Sequence, residues 1–115
     1  MRIATDVMGT LEGPMKKQIL AMLEVFAKAG AEITVWSNLY DYAIDAVRDN
    51  NLRAEADSKK TKGDLDFDES QYFDLAFEDD RTQTYLPTKR FLFVDEIPDS
   101  VEEAEALANK LLGEL

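Results

Sequence analysis

Apolar residues along the chain form short runs and longer segments with helical spacing. Short apolar runs bounded by turn residues predict strands, whereas apolar residues that recur every three or four positions predict amphipathic helices. Two strands are well defined, at residues 2–6 and in the run Glu-Ile-Thr-Val-Trp at 32–36. Three further strands are predicted at 53–56, 73–77 and 91–94.

Three helices are predicted to alternate with these strands. The first lies between Pro14 and Gly30, the second begins at a cap formed by Asn38, and the last begins where Ser100 and Glu103 have capping-box spacing. This alternation predicts an α/β fold, a three-layer Rossmann-like domain whose mostly parallel five-stranded sheet is covered on both faces. With 115 residues, the chain is expected to form one domain over residues 1–115.

Composition excludes several kinds of chemistry. The chain has neither cysteine nor histidine, so disulfides, thiolate or imidazole metal sites and histidine-based triads are excluded. Its net charge of -11 repels nucleic acid and anionic membrane surfaces, and neither is expected as a partner. The N-terminus lacks the apolar stretch of a signal peptide and no run reaches transmembrane length, so a cytoplasmic location is expected.

Polar residues follow three of the predicted strands. Asp6 ends the first strand, Ser37 and Asn38 follow the second, and the acidic run 78–80 follows the fourth. Ligands in open α/β sheets bind beyond the carboxyl ends of the strands, so we expect these groups to lie close together. Their oxygens predict a hard cation such as Mg²⁺, with a hydroxyl and a lysine nearby for an anion.

These same residues resemble motifs of the haloacid dehalogenase-like (HAD-like) superfamily. Residues 6–11 read Asp-Val-Met-Gly-Thr-Leu, which resembles the first motif, usually Asp-x-Asp-Gly-Thr-Leu. Residues 33–38 are similar to the second motif, an apolar strand that ends in Ser or Thr. Residues 77–81 read Phe-Glu-Asp-Asp-Arg and resemble the fourth motif, an acidic metal-binding pair. The resemblance covers roughly the first four-fifths of the chain and implies a minimal member without a cap domain.

The resemblance implies a role for each matching residue. Asp6 would be the nucleophile that forms an aspartyl-phosphate, and Ser37 with Asn38 would bind the phosphoryl oxygens. A lysine would neutralise Asp6 and the phosphoryl group, and Lys60 is favoured over its neighbours. The other candidates for the lysine position are Lys59 and Lys62.

The implied metal ligands for Mg²⁺ are Asp6, the backbone carbonyl of Met8, Asp79 and, directly or through water, Asp80. Most phosphatases of this superfamily have a second aspartate where this chain has Met8, and that aspartate serves as general acid and base. A thioether does neither, so hydrolysis is expected to be slower by about 10²–10⁴-fold. The function implied is a weakened magnesium-dependent phosphohydrolase.

The spacing leaves no space for a cap at either usual insertion point, so the site is expected to be open to a phosphorylated substrate as large as a macromolecule. Two alternatives remain. The first, favoured by Met8, is a non-catalytic HAD-like module that binds a partner, a phosphate or a metal ion. The second is a phosphoryl-accepting receiver domain, although its acidic pair should follow the first strand and not the fourth.

Overall fold

The computed structural model describes residues 1–58, 72–84 and 86–115. All five strands run parallel, in the order β3-β2-β1-β4-β5. This arrangement confirms the predicted α/β fold and five-stranded sheet, and it is consistent with a Rossmann-like three-layer domain. The strands are β1 (Arg2–Asp6), β2 (Glu32–Trp36), β3 (Glu55–Asp57), β4 (Leu75–Glu78) and β5 (Phe91–Phe93), and the helices are α1 (Lys16–Lys28), α2 (Tyr40–Asp49) and α3 (Val101–Glu114).

Of the two helix caps predicted from the sequence, the structure confirms the one at α3 and contradicts the one at α2. At α3, the Ser100 side chain accepts a hydrogen bond from the backbone N–H of Glu103 at 3.1 Å, which confirms the predicted cap. The prediction that Asn38 caps α2 is wrong. The cap position is Leu39, whose own backbone N–H donates to Ser37 Oγ at 3.2 Å, so the chain turns one residue later than expected.

The main core lies between one face of the sheet and the helices. Successive side chains of a strand point to opposite faces, and alternate residues of β1, β2 and β4 join the same apolar cluster as all three helices. Phe26 of α1 packs edge to face on Phe77 of β4, with ring centroids 6.4 Å apart. The helices of the described residues therefore pack on a single face.

The second face has a smaller core. Ala4, Trp36 and Ala76 project there and pack against two residues from outside the strands, Phe73 and Leu86. Both faces of the sheet are thus covered, as predicted. In the described part of the chain, connecting segments and not helices cover the second face, because no described helix joins this cluster. This second face is the one on which the last residues of β1, β2 and β4 project.

The strand order sets the position of any ligand site. From β1 the chain proceeds outward to β2 and β3, and it then returns to the other side of β1 at β4. The order therefore reverses between β1 and β4, and ligands of open α/β sheets bind at the carboxyl ends of the strands at such a point. A receiver-type sheet has β3 beside β1, so the observed order argues against that alternative.

The connection between β1 and α1 is short and fully described. Within residues 7–15, the Glu12 N–H donates to the Val7 carbonyl at 2.8 Å and the Leu11 N–H donates to the Asp6 carbonyl at 3.2 Å. This loop is closed on itself. The other connection at which a cap domain could be inserted, between β3 and β4, lies mostly outside the described residues.

No helix of the described residues is long and apolar enough to cross a membrane.

Candidate functional site

Two carboxylates from neighbouring strands lie side by side at the point where the strand order reverses. Thr5 of β1 pairs with Phe77 of β4, so the next residues along the two strands, Asp6 and Glu78, are also lateral neighbours. Adjacent strands are about 4.8 Å apart, and the alternation of side chains puts both acids on the second face of the sheet. On the other side of Asp6, its partner in β2 is Trp36.

Asp79 completes a cluster of three carboxylates. One carboxylate oxygen from each of Asp6, Glu78 and Asp79 lies within 4.8 Å of the other two. The donors are all carboxylate oxygens, which suit hard divalent cations and are poor ligands for soft metals. This donor set and spacing fit a cation bridging the carboxylates, so the cluster can hold a metal ion.

Ionisation of the carboxyls in this cluster is unfavourable without a cation. Burial, followed by the hydrogen bond with Asp79, raises the pKa of Asp6 from 3.8 to about 6. Burial, followed by the negative charge of Asp6, raises the pKa of Glu78 from 4.5 to about 9, and only 6% of Glu78 is exposed. Both shifts mean that the folded chain favours protonated carboxyls here. A bound cation would remove this penalty by supplying the missing positive charge.

Thr10 joins the two carboxylates that lie outside β4. Its hydroxyl is 3.2 Å from Asp6 Oδ2 and 3.1 Å from Asp79 Oδ1, and the residue is fully buried. The hydroxyl has one proton, so it donates to one carboxylate at a time. Thr10 thus fixes the separation of Asp6 and Asp79. No role was predicted for Thr10 beyond its place in the first motif.

Gly9 allows the loop to approach the cluster. Its φ of 78° lies in the left-handed region that favours glycine, and a Cβ there would be 2.8 Å from Cγ of Asp79 and closer still to Oδ2. Any side chain at this position would push Asp79 away. The glycine of the first motif therefore leaves room for the carboxylate of Asp79, which directly follows β4.

A single cleft of about 350 Å³ brings together the predicted site residues that the structure describes. The predicted lysines, Lys59, Lys60 and Lys62, lie outside the described residues. Ser37 is buried, and its Oγ accepts a hydrogen bond from the Leu39 N–H. The hydroxyl proton of Ser37 takes no part in that bond. The predicted site residues that line the cleft are Asp6, Met8, Ser37, Asn38, Asp79 and Asp80.

The structure separates the two aspartates of the acidic pair. Asp80 Oδ1 accepts hydrogen bonds from the backbone N–H and the hydroxyl of Thr82, at 2.9 and 2.7 Å, and these bonds lower its pKa. Asp80 lines the cleft but does not belong to the cluster of three carboxylates, in which Glu78 stands beside Asp79. Glu78 belongs to the acidic run 78–80, whose oxygens were predicted to bind a cation, but the motif resemblance implied no ligand role for it. The signal available was its position as the last residue of a strand adjacent to β1.

Met8 stands at the rim of the cleft. Its side chain is 61% exposed. The backbone hydrogen bonds that close the loop use the carbonyls of Asp6, Val7 and Glu12, and the Met8 carbonyl takes no part in them. The Met8 carbonyl therefore accepts none of the backbone hydrogen bonds that close the loop, and the Met8 side chain is exposed at the rim.

Protein-family models, curated proteins and solved structures give no significant match to this chain. The resemblance to the HAD-like superfamily therefore rests on the motifs at residues 6–11, 33–38 and 77–81. What the chain itself establishes is a parallel α/β fold with an acidic group able to hold a metal ion at the carboxyl ends of its strands.

Proposed function

We propose that this protein is a divalent-cation-dependent phosphohydrolase of HAD-like type that acts through an aspartyl-phosphate on Asp6. One observation supports it above the others. Carboxylates from β1 and from the end of β4, 72 and 73 positions apart in sequence, converge within 4.8 Å where the strand order reverses. The resemblance to the first motif then makes Asp6 the nucleophile, because it occupies that motif's first position.

Mg²⁺ is the proposed cation. Asp6, Glu78 and Asp79 would hold it, together with the Met8 carbonyl, and Asp80 would bind it through water. When bound, the cation stabilises negative charge on phosphoryl oxygens. The chain's own contribution is the fixed separation of the carboxylates by Thr10 and the close approach permitted by Gly9.

The reaction would proceed in two displacements. An Asp6 carboxylate oxygen bonds to phosphorus as the bond from phosphorus to the leaving oxygen breaks, and the leaving oxygen takes a proton from water. Water then attacks the aspartyl-phosphate, which releases phosphate and restores Asp6. Ser37, with Asn38 beside it, would donate a hydrogen bond to a phosphoryl oxygen, and Lys60 would neutralise the charge that develops.

Met8 makes both displacements slow. It supplies neither the proton for the leaving oxygen nor the base for the attacking water, so turnover falls by about 10²–10⁴-fold relative to a site with an aspartate. The same residue supports a second candidate, a non-catalytic module that binds a cation and a phosphorylated partner. In both cases the cleft, which the sequence spacing predicts to be without a cap, would accept a phosphoryl group on a bulky carrier, including a macromolecule.

Cation binding is the first test. Trp36 is the chain's single tryptophan and lines the cleft next to Asp6, so its fluorescence reports on the site. Titration with Mg²⁺ should change this fluorescence saturably, and Asp6→Asn should weaken binding by about tenfold or more. Glu105→Gln, an exposed acid on α3, is the matched control and should leave binding unchanged. A native chain that shows no saturable Mg²⁺ response would refute the proposal.

Turnover is the second test. Met8→Asp should raise Mg²⁺-dependent hydrolysis of 4-nitrophenyl phosphate by about 10²-fold or more, because it restores a general acid and base. Met8→Asn has nearly the same size without the acid and should show no gain. Adding Asp6→Asn to Met8→Asp should abolish the gain. If Met8→Asp binds Mg²⁺ but turns over no faster than Met8→Asn, the non-catalytic module is the correct function.

A further inference from the structure

Helix α2 buries its small residues and exposes its large ones. Ala43 and Ala46 are the buried residues of the helix, whereas Tyr40 and Tyr42 are 49% and 44% exposed. An amphipathic helix that only completes a core places its largest apolar side chains inward. The outward tyrosines of α2 are therefore not explained by the core, and contiguous exposed apolar surface is typical of binding sites.

Part of this exposed surface forms one wall of the cleft. Met8, Leu39 and Tyr42 all line it, and Met8 and Leu39 are 61% and 56% exposed. We call these three residues the apolar wall. Met8 and Tyr42 also line an adjoining cavity of about 320 Å³, so they separate two concave spaces. The apolar wall thus belongs to the same cleft as the cluster of Asp6, Glu78 and Asp79.

The described lining of the cleft holds no basic residue. Besides the apolar wall, it consists of Trp36, three polar uncharged residues and four acids, and neither Lys nor Arg occurs in it. Together with the net charge of -11, the described lining repels any anionic group that the proposed cation and Lys60 do not neutralise. A substrate with a second phosphate or a carboxylate would pay this electrostatic cost.

We propose that the cleft selects phosphate monoesters whose carrier is an uncharged aromatic ring, with the apolar wall of Met8, Leu39 and Tyr42 binding that ring. The proposal rests on the proposed function for the phosphoryl end of the substrate. A thioether makes favourable contacts with aromatic rings, and a tyrosine ring stacks on them. Met8 therefore binds the ring of the leaving group at the position where relatives hold an acid.

The experiment compares two non-hydrolysable ligands by titration calorimetry in the presence of Mg²⁺. Phenylphosphonate should bind about tenfold more tightly than methylphosphonate, because the ring is removed from water against the apolar wall. A carboxylate at the para position of the ring should weaken binding relative to phenylphosphonate. Equal affinities for the phenyl and methyl ligands, or tighter binding of the carboxylated ligand, would overturn the proposal.

Two variants test whether the apolar wall causes the preference for phenylphosphonate over methylphosphonate. Tyr42→Ala should reduce the phenyl preference to about threefold or less. Tyr40→Ala removes an equally exposed tyrosine of the same helix that does not line the cleft, and it should keep the full preference. Unchanged Mg²⁺ affinity in both variants shows that they remain folded. A preference that survives in Tyr42→Ala and in the double variant with Met8→Ala would place the ring elsewhere and refute the assignment.

Failure of the aromatic selectivity can be distinguished from failure of the proposed phosphohydrolase activity. If Met8→Asp hydrolyses phosphate esters but the native chain binds both phosphonates equally, the phosphohydrolase stands and the aromatic selectivity is wrong. If no variant turns over but the phenyl ligand binds preferentially through Tyr42, the cleft recognises aryl phosphates without hydrolysing them. If neither phosphonate binds in Mg²⁺, the selectivity proposal is wrong, whatever the turnover assays give.

Discussion

Asp6 and Glu78 lie next to each other at the ends of two parallel strands, on the same face of the sheet. Burial, and then the charge of Asp6, raise the pKa of Glu78 to about 9, and burial raises that of Asp6 to about 6. A carboxyl whose pKa is raised on folding makes the folded state bind more protons than the unfolded state. The pair therefore links the stability of the metal-free chain to pH.

The metal-free chain should lose stability as the pH rises from about 4 to about 9. The contribution of each raised carboxyl is fully present below its unfolded pKa, and it is lost as the pH passes through the folded values of about 6 and about 9. Glu78→Gln has no proton to lose, so its free energy of unfolding at pH 9.5 should exceed that of the native chain by about 2 kcal/mol or more. Urea unfolding in the presence of a chelator measures the difference.

The control for this prediction is Glu105→Gln, which makes the same chemical change at an exposed site of α3. Its pH profile should parallel that of the native chain. Saturating Mg²⁺ should also flatten the native profile between pH 6 and pH 9, because the cation replaces the protons. If Glu78→Gln and Glu105→Gln give the same profile, the coupling of Asp6 and Glu78 does not govern stability.

Removing the Thr10 hydroxyl should loosen the cluster. Thr10→Val keeps the shape of the side chain but leaves Asp6 and Asp79 without their shared donor. We expect a loss of about 1–3 kcal/mol in the free energy of unfolding and an Mg²⁺ affinity lower by about tenfold. Thr10→Ser retains the hydroxyl and should keep most of that affinity. A valine variant with native Mg²⁺ affinity would show that Thr10 does not position the carboxylates.

Gly9→Ala should impair the site more than it impairs the fold. Gly9 and Gly30 both have positive φ, of 78° and 92°, so alanine at either position costs about 1–2 kcal/mol of backbone strain. Only the Gly9 Cβ would collide with Asp79, whereas nothing lies within 4 Å of a Cβ at Gly30. Gly9→Ala should therefore lower Mg²⁺ affinity by about tenfold or more, and Gly30→Ala should leave it unchanged. Equal affinities in the two variants would contradict this.

The two neighbouring aspartates after β4 should differ as ligands. Asp79 belongs to the cluster, whereas Asp80 is engaged by the backbone and side chain of Thr82. Asp79→Asn should lower Mg²⁺ affinity by about tenfold or more, and Asp80→Asn by about threefold or less, as expected for an acid that acts through water. Calorimetric titration of both variants makes the comparison. A larger effect at Asp80 than at Asp79 would show that Asp80 binds the metal directly, one of the two roles that the motif implied for it.

Local patterns in the sequence predicted most of the fold. The strands at 2–6 and 32–36 match β1 and β2, and Ser100 caps α3, because these features depend on neighbours within a few residues. The prediction for 53–56 was off by up to two residues at β3, and the strand predicted at 73–77 lies at 75–78. Apolar patterns locate elements better than their ends, which depend on pairing with other strands.

Local patterns were sufficient to assign the element types and their approximate positions, since alternation and helical spacing are local properties. Which strand ends meet depends on the folded arrangement of the strands. The order β3-β2-β1-β4-β5 makes Glu78 the lateral neighbour of Asp6, and it leaves Asp80 to the turn at Thr82. Sequence spacing contains no information on lateral register, because register depends on contacts between segments about 70 positions apart. For the same reason, the hydroxyl of Thr10 became a link between two carboxylates only when the chain folded.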